Sequence, residues 1–235
     1  MKLKVSDDLR KAFPELRIAV LQASGIDNTG IAPDLDRLKN EAADRMYQDF
    51  TYETLNELPE IGAWRDAYRA FGVKPKDSRP TAEAFLRRLV KGEEFPTISK
   101  AVDSYLLVET KFYLPVGGYD ASTVTGDITL RFSEGGESFT PIGGRTEEFT
   151  KPGEVVYCDD ARILTRRWNY RDCDACKVTD ASTDIVLFTE APFAGVPTES
   201  LQASVELMAE YIGTFCGGSV STLMLDYTTA GEYDL

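Results

Sequence analysis

The spacing of apolar residues changes near residue 102, and no other feature narrows the possible folds as much. Before that point the pattern is helical. Pro33-Asp34 opens a segment running about 34–50, with Leu35, Leu38, Ala42, Met46 and Phe50 three or four apart. A short helical stretch covers 51–57. A third segment starts near Pro59 and carries Ile61, Trp64, Tyr68 and Phe71 on one face, and Gly72 closes it. The proline-bounded loop KPKDSRP follows. Thr81 is then expected to cap the helix TAEAFLRRLVKG, in which Glu83 sits in the first turn, Phe85, Leu86 and Leu89 carry the apolar pattern, and Gly92 is the stop.

From 102 onward the pattern turns to β. VDSYLLVETKF can still continue as helix. GDITLRFS, ESFTPIG, GEVVYCDD, RILTRRW and DIVLFTEA then alternate or run β-rich between Gly, Asp and Pro turns. SEGGES, 133–138, reads as a hairpin. PTESLQASVELMAEYIGTFCGG is a helix with Leu201, Val205, Met208 and Ile212 as its stripe and Gly217-Gly218 as its end, and STLMLDYT is a closing strand. At the other end, LKV and residues 16–26 are strand candidates, the second followed by the turn DNTG. The fold class is α+β: N-terminal helices, a mixed or antiparallel sheet, then a C-terminal helix and strand. No Pro/Ser linker interrupts it, so a single domain over 1–235 is expected.

Charge and residue usage exclude several functions. The 235 residues carry a net charge of −13, which argues against a broad nucleic-acid surface but leaves room for a local basic patch. There is no apolar leader and no run long enough to span a membrane, so a cytoplasmic protein is expected. The sequence has no histidine, so the usual general base and the usual zinc ligand are missing. Proton transfer would have to use Asp, Glu, Lys, Tyr, Cys or bound water. Cys173 and Cys176 form a CxxC, yet only Cys158 and Cys216 remain, far off in sequence; two reduced cysteines in or near a loop are expected, with no metal. No Walker or Rossmann glycine pattern and no Ser-His-Asp set is present, so no cofactor is expected.

One ordered set of segments stands out: IGAWRDAYRAFGVKPKDSRPTAEAFLRRLVKGEEFP, VDSYLLVETKFYLPVGGYD, GDITLRF and KPGEVVYCDDARILTRRWNYRDC. Over about residues 60–190 this resembles the freestanding relatives of the B3/B4 domain of the phenylalanyl-tRNA synthetase beta chain. In the synthetase that domain hydrolyses tyrosine wrongly attached to tRNA. The resemblance implies an α+β domain with a pocket for an amino acid, perhaps one ester-linked to a tRNA end, with tRNA, aminoacyl-tRNA or a free amino acid as partner. Against the motif VDxTNYVxxExGQPMHAFD this chain reads VDSYLLVETKFYLPVGGYD. Val102, Asp103, Pro115 and Asp120 match, whereas the motif's asparagine falls on Leu106 and its pocket histidine on Gly117. The glutamate of a Gly-Gly-Glu turn falls near Arg171-Asp172.

The resemblance puts RRWNYRD at the pocket mouth. Arg166, Arg167 or Arg171 with Trp168 would suit a flat anionic ligand, since an arginine fork pairs carboxylate or phosphate and an indole offers a stacking face. The alternative is a strand end whose arginines pair with Asp159, Asp160, Asp172 and Asp174. PVGGYD is either a glycine turn whose backbone N–H groups bind an oxyanion or a plain loop. The ligand-binding set is therefore Gly117, Gly118, Asp120, Trp168, Asn169 and Arg171. Asp103 either anchors a loop by accepting backbone N–H bonds or positions water. Arg79, Arg87, Arg88 and Lys91, joined by Arg166 and Arg167, are candidates for RNA phosphates, with a solvated helix face as the alternative. No catalytic residue is singled out. Hydrolysis, if present, would rest on positioning water beside a reactive ester.

Overall fold

The computed structural model describes residues 1–227 and 230–235. In chain order the elements are β1 (Lys2–Val5), α1 (Asp7–Ala12), β2 (Arg17–Ser24), α2 (Pro33–Asp49), α3 (Tyr52–Asn56), α4 (Pro59–Ala70), α5 (Thr81–Val90), α6 (Lys100–Phe112), β3 (Val116–Asp120), β4 (Ile128–Phe132), β5 (Ser138–Phe139), β6 (Glu148–Phe149), β7 (Val155–Cys158), β8 (Ile163–Arg166), β9 (Arg171–Asp172), β10 (Asp184–Ala191), α7 (Thr198–Phe215), β11 (Ser219–Asp226) and β12 (Glu232–Asp234). The class is α+β, as the apolar patterns require. Thr228, the last residue of STLMLDYT, lies outside the described residues.

The strands form a six-stranded sheet in the order β12-β1-β4-β7-β8-β9, a four-stranded sheet in the order β11-β2-β10-β3, and the small pair β5-β6. Only β1 and β4 pair parallel in the larger sheet. Strand alternation explains the layering. Ile18 and Val20 of β2, with Val186 and Phe188 of β10, enter one apolar cluster with Leu130, Tyr157 and Leu164 of the larger sheet. Their neighbours Ala19, Leu21, Ile185 and Leu187 enter another, with Val108 of α6 and Val205, Met208 and Ile212 of α7. The smaller sheet is thus covered on both faces, which is why β10 reads as a near-continuous apolar run. Helices α2 to α5 bring Leu35, Met46, Leu55, Ile61 and Leu86 into a third cluster.

Three local expectations need correction. PVGGYD is not a turn: residues 116–120 are the edge strand β3, paired antiparallel with β10. SEGGES does not join a hairpin, because β4 pairs with β1 and β7 while β5 pairs with β6. Thr81 is the first helical residue of α5 and Pro80 holds the cap position, where no side-chain cap bond forms. LKV and residues 16–26 do form strands, β1 and β2, and these enter different sheets.

Candidate functional site

A cavity of about 550 Å³ opens between the two sheets where β3 meets the segment 168–172. The registers dictate its walls. Gly117 lies opposite Phe188 and Tyr119 opposite Val186, so these four share the face of the smaller sheet that looks at the larger one. Gly118, opposite Leu187, belongs to the other face. On the larger sheet Tyr157 pairs with Thr165 and Thr165 with Asp172, a cross-strand row aimed into the same space. Tyr157 and Phe188 stack with centroids 5.5 Å apart, and Tyr119 lies 5.9 Å from Phe188, forming an aromatic floor.

Two carboxyls stand over this floor. Asp172 is half-buried as a residue, but its carboxyl turns inward between the sheets. The Thr165 hydroxyl donates to its Oδ1 at 2.5 Å and lies 2.6 Å from the Tyr119 hydroxyl. Desolvation outweighs that bond and raises its pKa to about 6. Oδ2 lies 3.9 Å from where a Cβ on Gly117 would stand, so the missing side chain leaves the carboxylate open to the cavity. Glu190 accepts from the Tyr157 hydroxyl and, at 3.0 Å, from the indole N–H of Trp168. Burial again dominates and pushes its pKa up to about 7.

Asn169 is the third polar group. Its Oδ1 accepts from the Tyr68 hydroxyl at 2.8 Å, and its backbone carbonyl accepts from the Thr81 N–H at 3.2 Å. Its Nδ2 is buried without a partner in a wall of the cavity. A buried amide donor left unpaired costs about 1–3 kcal/mol, so it marks the place for an acceptor atom. Backbone strain puts the residue there. Arg167 and Trp168 hold positive φ of 51° and 68°, which is unfavourable for side chains of this size. The turn drives Trp168 inward and leaves Asn169 facing the cavity.

The structure brings together Gly117, Trp168, Asn169 and Arg171 of the expected ligand set, and separates Gly118 and Asp120 from them. Asp120 instead caps a single 3-10 turn, accepting from Ser122 N–H, and also accepts from the Ser182 hydroxyl at 2.6 Å. Trp168 cannot stack on a ligand as anticipated. It is fully buried, edge-on to Phe13 and Trp64 at 4.8 and 5.2 Å, and only borders the cavity. Arg171 is half exposed at the mouth, 3.6 Å from Glu148.

Arg166 and Arg167 are not free for phosphate. Arg166 is buried, doubly bonded to Glu154 at 2.9 Å and to Glu148 at 2.9 Å, and Arg167 binds Glu154 at 3.1 Å. Their partners are these glutamates, not the four aspartates weighed as alternatives; only Arg162 reaches Asp159, at 4.0 Å. Asp103 anchors a loop, accepting the Ile98 N–H at 2.9 Å and binding buried Lys39 at 2.6 Å. Arg79 and Arg87 converge on the Glu83 carboxylate, Arg88 pairs with Glu93, and Lys91 is exposed at the end of α5. Cys173 and Cys176 are buried, unbridged, and flank a 3-10 turn. Among the described residues no Cys, Asp and Glu group is placed to hold a metal ion, and no helix is long and apolar enough to cross a membrane.

Sequence comparison matches the B3/4 domain over residues 63–217. The chain belongs to that family. The matched range contains the cavity walls from Thr81 to Glu190. Among solved structures, an N-terminal fragment of the phenylalanyl-tRNA synthetase beta-subunit from Pyrococcus horikoshii aligns at 11% identity and a TM-score of 0.46, over 94% of this chain and 53% of that one. The chain therefore spans about half the length of that fragment. No curated protein matches it. Leu106, at the motif's asparagine position, packs between the second and third apolar clusters, and Gly117, at its histidine position, lines the cavity.

The residues missed from sequence are Tyr119, Tyr157, Thr165, Phe188 and Glu190. One signal was present: Glu190 is the one acid in the apolar run IVLFTEA, 185–191. An acid in a strand buried on both faces needs either partners or a ligand.

Proposed function

We propose that the cavity receives the aminoacyl end of a mischarged tRNA and that the protein hydrolyses the ester in trans. Membership of the B3/4 domain family supports the substrate class. The observation that carries the chemistry is the convergence of the unpaired Asn169 Nδ2 and the open Asp172 carboxylate on one cavity with an aromatic floor. Asn169 donates to the ester carbonyl oxygen and stabilises the charge that grows there. Asp172 takes a proton from a water held beside it as that water's oxygen adds to the carbonyl carbon. The bond to the ribose oxygen then breaks, and the proton passes from Asp172 to that oxygen. Glu190 and the rings attract the α-ammonium group. With Asp172 titrating at about 6, it is a carboxylate at neutral pH and a stronger base than an ordinary aspartate.

Deacylation of a panel of mischarged tRNAs tests this. Wild-type protein should hydrolyse at least one pair, with a rate that rises with pH and levels off above about 7, and Asp172→Asn should cut it about 100-fold or more. No hydrolysis across the panel sinks the catalytic reading. The replacement of the motif's asparagine and histidine by Leu106 and Gly117 favours a second reading, a non-catalytic pocket for a free amino acid. Calorimetry with free amino acids would then decide it.

A further inference from the structure

A second concavity, of about 460 Å³, lies on the other side of the segment 78–81. Six basic side chains line it: Arg65 and Arg69 from α4, Lys74 and Lys76 from the loop after it, Arg79, and Arg87 from α5. Glu83 is the one acid in the wall, and it is already engaged. Its carboxylate is buried and accepts from Arg65 Nε and Nη2 at 2.8 and 2.7 Å, with Arg79 and Arg87 at 3.4 and 3.7 Å. Asp66 answers Arg69 from outside. Lys74 and Lys76 are exposed and have no ion-pair partner among the described residues.

Two observations separate this cleft from an ordinary solvated basic face. First, it is held rigid. Arg87 lies over the Tyr52 ring at 4.3 Å and Arg65 donates to Asn56 at 2.5 Å. The lysine loop is closed by bonds from the N–H groups of Asp77 and Ser78 to the Lys74 carbonyl, and Arg167 donates to the Ser78 hydroxyl from behind. Second, it shares a wall with the cavity. Arg79 lines the cleft, Thr81 lines the cavity, and the Thr81 N–H binds the Asn169 carbonyl. In a chain of net charge −13, clustering six of 26 basic residues in one preorganised recess leaves a strong local excess of positive charge.

We propose that this cleft binds consecutive phosphates of an RNA backbone while the end of that RNA enters the adjoining cavity. The proposal rests on the tRNA reading above and adds a docking site built by α4, the lysine loop and α5. Guanidinium forks suit phosphate oxygens, and lysines on a flexible stem supply point charges along the strand.

The test is anisotropy of fluorescein-labelled, deacylated tRNA between about 50 and 200 mM salt. Binding should weaken steeply with salt. Lys74→Ala with Lys76→Ala should weaken it roughly tenfold and take about one unit per lysine from the salt slope. Lys151→Ala, an exposed lysine outside the cleft, should bind as wild type. The idea fails if wild-type protein does not bind at the lowest salt, if the double variant binds equally well, or if Lys151→Ala weakens binding as much. It also fails if adenosine triphosphate at equal phosphate concentration displaces the tRNA, which would assign the cleft to free nucleotides. The probe carries no ester, so a lack of deacylation and a lack of binding are separate results.

Discussion

Arg166 and Arg87 both stand near a cavity, and they do opposite work. Arg166 is sealed under the small β5-β6 pair, with Glu154 and Glu148 taking its hydrogen bonds. Arg87 shares one buried carboxylate with two other arginines, so most of the charge around Glu83 remains uncompensated and faces outward. Sequence density of arginine does not separate these cases. The ratio of cations to carboxylates does. Around Glu154 and Glu148 three arginines meet two carboxylates, and the arginine is part of the fold; around Glu83 three meet one, and charge is left for a ligand.

The largest test of that contrast is Arg166→Met. It leaves the Glu154 carboxylate buried with only Arg167 beside it, and unfolding free energy should fall by about 3–5 kcal/mol in urea titration. The cleft lysine pair should leave the urea midpoint unchanged. Equal effects would break the distinction.

Gly118→Ala comes next. Its Cβ would stand 2.2 Å from the Val186 carbonyl and 2.6 Å from the Leu187 side chain, so stability should drop by about 1–3 kcal/mol. At Gly117 the space is open. There an alanine should cost little stability but should narrow the cavity, lowering activity or ligand affinity; a stable Gly118→Ala variant would overturn the register drawn for β3.

The smallest effect is a pH slope. Asp172, Glu190 and Glu109 titrate at about 6, 7 and 8 in the folded protein, each raised by burial. The folded state therefore holds protons that the unfolded state has released. Their contribution is full below about pH 4 and is lost as pH rises through 6 to 8. Tm should fall between about pH 4 and 8 and level off above that. Glu109→Gln should flatten the upper part of that slope, because Glu109 keeps one oxygen buried without a partner and accepts the Val116 N–H with the other. An unchanged slope would mean that the carboxyl is better solvated than its surroundings imply.

Much of the site was legible as an ordered set of segments, and little of it as individual residues. Of the two roles open for Asp103 the structure shows the loop anchor, and Asn169 lies in the pocket wall where the family resemblance puts RRWNYRD. Gly118 and Asp120 are neighbours of Gly117 along the chain but lie away from the cavity, and Trp168 borders it without offering a face for stacking. In a strand, neighbours point to opposite faces, and in the strained turn the Trp168 ring points into the core, so proximity along the chain does not tell which side chains face the cavity.

What the sequence determined by itself was local. The stripes of α2, α4 and α7 and the apolar runs of β2 and β10 depend on spacing within one segment, and spacing is written in the chain. Tertiary structure alone decided which strands pair, that β1 and β2 join different sheets, and that PVGGYD is an edge strand. Those outcomes depend on where residues far apart in the chain, 65 to 73 positions for β3 and β10 and over a hundred for β1 and β4, can share backbone hydrogen bonds, and local spacing does not encode that choice. The cavity is made the same way: Gly117 and Glu190 lie on paired strands of one sheet, and Asp172 meets them from a strand of the sheet that faces it.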